Sequence, residues 1–83
     1  MDIKETFICV NTFGSKKTGK DYYKLYTFDE DDQSVNESFI TEDLYDKILD
    51  SEICFGDVVT VVYKPNKYKK LEPADVIVEQ ERI

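Results

Sequence analysis

At 83 residues the chain can bury one small core, so a single domain over 1–83, built as two layers or one small barrel, is the ceiling. A hydrophobic share of 41%, a charged share of 35%, six tyrosines and five phenylalanines against three glycines and two prolines exclude a disordered chain. The net charge of −7 argues against strong adhesion to duplex DNA, and no apolar run nears the roughly 20 residues that span a bilayer.

Ile3 to Phe13 reads as a long first strand, with Ile3, Phe7, Cys9 and Phe13 apolar at odd positions and Ile8 and Val10 on the other face. Gly14 to Lys20 is turn chemistry around a lysine-rich tip. A second strand follows from Asp21 to about Asp29, and because a strand lysine is rarely buried, the face carrying Tyr22, Lys24 and Tyr26 should be the wet one. Glu30 to Ser34 is an acidic connection, and Val35 to Ile40 a short third strand. Thr41 is a fair N-cap, Glu42 and Asp43 suit the first turn of a helix, and Leu44 with Ile48 and Tyr45 with Leu49 form apolar i, i+4 pairs, which predicts a helix over 42–50. Gly56 and Asp57 lead into Val58 to Tyr63, the most β-prone run of the chain. A basic turn around Lys67 precedes a last strand from Leu71 or Ala74 to Val78, and the tail Gln80 to Ile83 is expected to fray.

Charge is distributed unevenly along this order. The segment from Gly14 to Tyr26 carries +3 through Lys16, Lys17, Lys20 and Lys24 against Asp21, and Tyr63 to Leu71 carries +4 through Lys64, Lys67, Lys69 and Lys70, leaving −14 for the remainder. If folding sets these segments side by side, a Debye length of about 8 Å screens the distant acids, and local field decides binding. Tyr22, Tyr26 and Tyr68 are interleaved with those lysines, supplying cations for phosphates and flat rings for unpaired bases. Neither cluster contains arginine, so bidentate base readout is not expected and binding should depend little on sequence.

Five strands with one helix between the third and fourth is the order of an OB-fold, a five-stranded Greek-key barrel that binds oligonucleotides through one face and the loops after strands one and four. A split SH3-like barrel or an α+β roll also suits this order. Lys17-Thr18-Gly19-Lys20-Asp21-Tyr22, a basic turn with Gly-Lys-x-Tyr opening the second strand, resembles the corresponding turn of filamentous-phage single-stranded-DNA-binding proteins and, more loosely, of phage and bacterial OB-fold single-strand binders. Gly56-Asp57-Val58-Val59 resembles the entry to the fourth strand of many OB domains. The resemblance implies a base-stacking role for Tyr22, a basic and aromatic late hairpin at Lys67, Tyr68 and Lys69, a homodimer, and work in replication or recombination in a bacterial or phage-infected cell. The acidic total and the helix depart from the filamentous-phage pattern.

The expected ligand is single-stranded DNA, with RNA equally served by lysines and tyrosines. The competing reading is an acidic protein-interaction module, such as a phage inhibitor imitating DNA, that grips a basic host protein through Asp29 to Asp32 and Glu42, Asp43, Asp46 and Asp50. Enzyme chemistry has little to stand on: there is no histidine, no phosphate-binding glycine motif and no metal-ligand spacing, so no cofactor or metal is expected. Cys9 and Cys54 make no disulfide framework and are expected to be small buried hydrophobes. Phe7, Phe28 and Phe55 are expected in the core, and Tyr23 and Tyr45 in structural positions.

Overall fold

The computed structural model of the chain describes residues 1–78, and in it alternation of apolar and polar residues becomes five strands: β1 Asp2–Gly14, β2 Asp21–Asp29, β3 Ser34–Ile40, β4 Val58–Pro65 and β5 Leu71–Val78. One helix, α1 Glu42–Asp50, lies between β3 and β4. The strands form one antiparallel sheet in the order β3-β2-β1-β4-β5. The sheet is open: its edges β3 and β5 come near each other, but no ladder joins them among the described residues. No described helix is long and apolar enough to cross a membrane, and the tail expected to fray lies outside the described residues.

β1 is the centre of this sheet and changes phase part-way along. Phe7 stands opposite Thr27, but Cys9 stands opposite Tyr26, so Ile8 is the extra residue of a β-bulge. Before the bulge the odd positions Glu5 and Phe7 face the core; after it Val10 packs against the core, while Cys9 and Phe13 point outward. The odd-position reading of β1 therefore holds only for its first half. The bulge also corrects the expectation for Cys9, which is exposed on the outer face.

The core gathers Phe7, Leu25, Leu44, Ile48, Val59, Val61 and Val76, with Val10, Ile40, Ile53 and Tyr63 packed against it. β4 supplies its most buried residues, as expected of a β-branched run covered on both sides. Thr41 caps α1 by accepting the amide of Leu44 at 3.2 Å, and Glu42 and Asp43 occupy the first turn, where the helix dipole favours carboxylates. Leu44 and Ile48 turn inward one helical turn apart, while Leu49 stays exposed, so α1 contributes a narrower apolar stripe than its sequence suggests. α1 packs across β2 and β5, and Lys47 forms an ion pair with Asp75 of β5. Phe55 and Cys54, both expected inside, lie exposed in the turn before β4, with Phe55 at 71% exposure. That turn is held instead by polar bonds: Asp57 accepts the Cys54 amide, and Phe7 exchanges backbone bonds with Gly56 and Asp57.

Glu5 is buried to 2% exposure at the centre of β1. Its Oε1 accepts from Thr27 Oγ1 of β2 and from Asn36 Nδ2 of β3, each at 2.7 Å, and its Oε2 accepts from the Tyr63 hydroxyl of β4 at 2.6 Å. One carboxylate thus ties four strands together through three neutral donors. Burial, followed by the Glu5 carboxylate, pushes the Tyr63 phenol well above its ordinary pKa.

Candidate nucleic-acid interface

The outer face of β1, β2 and β3 follows from register. Phe13 stands opposite Tyr22, Asn11 opposite Lys24, Lys24 opposite Phe39, and Tyr26 opposite both Cys9 and Glu37. Because paired residues point to the same side of a sheet, these side chains share one surface. At the end nearest the first lysine turn, three rings meet. Phe13 and Tyr22 lie 6.2 Å apart and nearly parallel, Phe13 and Phe39 are 6.4 Å apart, and Tyr22 meets Phe39 edge-on at 6.1 Å. Phe13 is 41% and Phe39 56% exposed.

Lys24 crosses this platform. Its Nζ lies 5.4 Å from the Phe13 ring centroid and 4.9 Å from that of Phe39, within cation–π range, and forms an ion pair with Glu37 on β3. The hydrogen bond to Glu37 holds the Lys24 ammonium above the usual lysine range, against the opposing effect of burial. The lysine is therefore poised over the rings but already neutralised by its own carboxylate.

The first lysine turn extends beyond the β1–β2 ladder. Ser15 donates its amide to the Lys20 carbonyl at 2.9 Å, Gly19 donates to the Ser15 carbonyl at 2.9 Å, and Gly19 adopts φ +67°, a conformation glycine accepts without strain. Backbone bonds close the turn, so Lys16, Lys17 and Lys20 stand exposed around it. The second turn is organised by Asn66, whose Oδ1 accepts the amides of Tyr68 at 2.8 Å and Lys70 at 3.1 Å. Tyr68 projects at 69% exposure with Lys67 Nζ 5.0 Å from its ring centroid, and Lys64, Lys69 and Lys70 are exposed around it.

The two turns do not form one patch. β1 pairs with β2 up to Gly14 but with β4 from Asp2, so the first turn lies beyond one end of β1 and the second beyond the other. On the opposite side, Leu71 at the root of the second turn shares a cleft with Glu37 and Ser38 of β3. The first turn thus borders the platform, and the second stands at the far end of β1 from it. Among the described residues the ion pairs are Lys24–Glu37 and Lys47–Asp75, so Lys16, Lys17, Lys20, Lys67, Lys69 and Lys70 make no ion pair there, while Lys64 helps to lower the pKa of Asp75. Of the residues singled out from sequence, Lys16, Lys17, Lys20, Tyr22, Lys24 and Tyr26 fall on or beside the platform, with Tyr26 half-buried; Lys64, Lys67, Tyr68, Lys69 and Lys70 fall on the separate turn.

Phe13 and Phe39 were not legible as site residues. Their one sequence signal is an apolar ring at the end of a strand, which local pattern assigns to a core. Among the described residues no group of three or more His, Cys, Asp or Glu side chains is placed to hold a metal ion. Where β2 begins and β3 ends, against the start of α1, a further open groove of about 460 Å³ is lined by Asp21, Tyr22, Tyr23, Phe39, Ile40 and Glu42. No protein-family model, curated protein or solved structure matches this chain, and its function must be argued from the chemistry of these surfaces.

Proposed function

We propose that the chain is a non-catalytic binder of single-stranded nucleic acid, with the strand lying across the outer face of β1, β2 and β3. The observation that carries this reading is the exposed platform of Phe13, Tyr22 and Phe39 beside a turn bearing three exposed lysines. Exposed rings clustered on a sheet face leave apolar surface in water, and unpaired bases can cover it. Base stacking on such rings is worth about 1–3 kcal/mol per base and tolerates any sequence. Lysine ammonium groups supply charge without the planar fork that reads base edges, which favours sequence-independent binding.

Strand order supports the finer assignment of an OB-like fold: five antiparallel strands with a helix between β3 and β4, and edges that approach one another, suit a partly open Greek-key barrel. The second lysine turn then serves only a strand long enough to run from the platform to the far end of β1.

The test is fluorescence anisotropy of a labelled oligo-dT with the full chain at low and rising salt. Binding should weaken with log K falling by about 0.7 per phosphate contact in log salt, and Phe39→Ala should reduce affinity by about 5- to 150-fold, the range of one lost stacking contact. No binding at low salt, or an unchanged Phe39→Ala variant, overturns the proposal.

A further inference from the structure

The groove between the end of the β2–β3 ladder and the start of α1 has the opposite chemistry from the lysine turns. It is lined by Tyr22 and Phe39 from the outer face of the sheet and by Tyr23 and Ile40 from the face that carries α1; its two charged residues are Asp21 and Glu42, and no cationic residue lines it. Tyr23 is braced from behind by Tyr45, the ring centroids lying 4.8 Å apart. Asp21 opens β2 opposite Gly14, and Glu42 is fixed as the first residue of the capped helix, so both carboxylates are carried on ordered backbone. Carboxylates supply the charge of its lining: burial pushes the Tyr23 phenol up, and Glu42, Asp21 and Asp46 raise it further in that order.

A phosphate is repelled from such a place. A ligand that fits must be cationic, to meet two carboxylates, and flat, to lie against aromatic walls. Guanidinium satisfies both requirements, since it stacks on aromatic faces and donates to carboxylates through a rigid planar fork. A volume of about 460 Å³ is within the range of about 300–1,000 Å³ typical of ligand clefts. We infer that this groove is a docking site for an arginine side chain of a basic protein partner, laid against its aromatic lining and held by the Asp21 and Glu42 carboxylates. Because Tyr22 and Phe39 also belong to the platform, the partner would sit at the edge of the face proposed for the strand. The inference goes beyond nucleic-acid binding and survives if oligonucleotides fail to bind.

The experiment titrates the full, isotope-labelled chain, without nucleic acid, with the blocked tripeptide Ala-Arg-Ala and with its citrulline counterpart, which keeps the shape and loses the charge. Amide resonances of Asp21, Tyr23 and Glu42 should shift with the arginine peptide at a Kd of about 1 mM, as expected of a single side-chain contact. The citrulline peptide should bind at least tenfold more weakly, and Glu42→Gln and Asp21→Asn should each weaken the arginine peptide about fivefold, the scale of one partly exposed ion pair. Unchanged dispersion of the remaining resonances verifies that both variants are folded. Equal binding of the citrulline peptide, shifts mapping to another surface, or no shift at 10 mM peptide would overturn the assignment. Equal binding of a lysine peptide would overturn the choice of guanidinium, and preferential shifts with deoxycytidine monophosphate would make the groove a base subsite instead.

Discussion

Tyr63→Phe removes a single oxygen from the polar cluster around Glu5 and leaves the ring in place. The lost bond, 2.6 Å long, runs from the Tyr63 hydroxyl to Glu5 Oε2, and Glu5 is almost wholly buried. Hydrogen bonds to charged groups contribute about 1.5–3 kcal/mol, and a carboxylate deprived of a donor has little water to replace it. At about 0.05–0.15 kcal/mol per residue, a chain of 83 residues has about 4–12 kcal/mol of total stability. A loss near 2 kcal/mol should therefore lower Tm by about 8–16 °C, using the 4–8 °C per kcal/mol of small domains. Thermal and urea unfolding followed by circular dichroism would measure it. Glu5→Ala should cost more than about 3 kcal/mol, because Thr27, Asn36 and Tyr63 would all lose their acceptor. The decisive comparison is the double variant: once Glu5 is gone, Tyr63→Phe should cost almost nothing further. A Tm drop below about 2 °C for Tyr63→Phe alone, or strict additivity with Glu5→Ala, would refute the idea that this carboxylate ties the strands together.

Four other outcomes are expected. The folded Tyr63 phenol has its pKa raised by burial and Glu5, so its stabilising contribution is full below the unfolded value of about 10 and is lost as pH rises through the higher folded value; urea titrations above pH 10 should show a slope that Tyr63→Phe diminishes. Asp75 behaves in the opposite sense: the hydrogen bond from Lys47 holds its carboxyl low, so stability present above its ordinary pKa should fall away in acid, and Lys47→Ala should flatten that loss in the same titration. Glu37→Gln frees Lys24 from its internal partner and should tighten oligo-dT binding several-fold while steepening the salt slope by about one contact's worth, near 0.7; weaker binding in anisotropy would count against the platform. Thr41→Ala removes the cap of α1 and should cost about 1 kcal/mol in urea unfolding, with no loss of oligonucleotide affinity.

The order of elements was legible because each is locally consistent. Thr41, Glu42, Asp43, Leu44 and Ile48 state a capped amphipathic helix, and α1 runs over the predicted 42–50. β2 likewise begins and ends where the turn residues around it predict. The phase of β1 was not legible, because a bulge arises from how two strands meet rather than from the residues of one. Consequently Cys9, expected to be buried, lies exposed, and Phe13, read on the same face as Phe7, lies on the opposite one. Nor does the sequence mark Glu5 as buried: its three donors come from positions 27, 36 and 63, and only the assembled sheet collects them. The candidate face was half legible. Its cations and Tyr22 were visible in the first turn, whereas Phe13 and Phe39 resembled core residues until register turned them outward, and the two lysine segments, expected side by side, lie beyond opposite ends of β1.

Ile8 gives β1 two reading frames. Upstream of it, alternate residues spell the interior; downstream, the same alternation spells the exterior, and Asn11 and Phe13 owe their outward aim to that one-residue offset. Losing Ile8 itself would join Phe7 to Cys9 in an unbroken ladder with Val10 still inward and Phe13 still outward, whereas losing a paired residue downstream of an intact bulge, such as Asn11, would send Phe13 toward the core side while leaving composition almost untouched. Substitutions along this strand would change the surface by degrees, whereas one paired residue lost below the bulge would exchange inside for outside beyond that point.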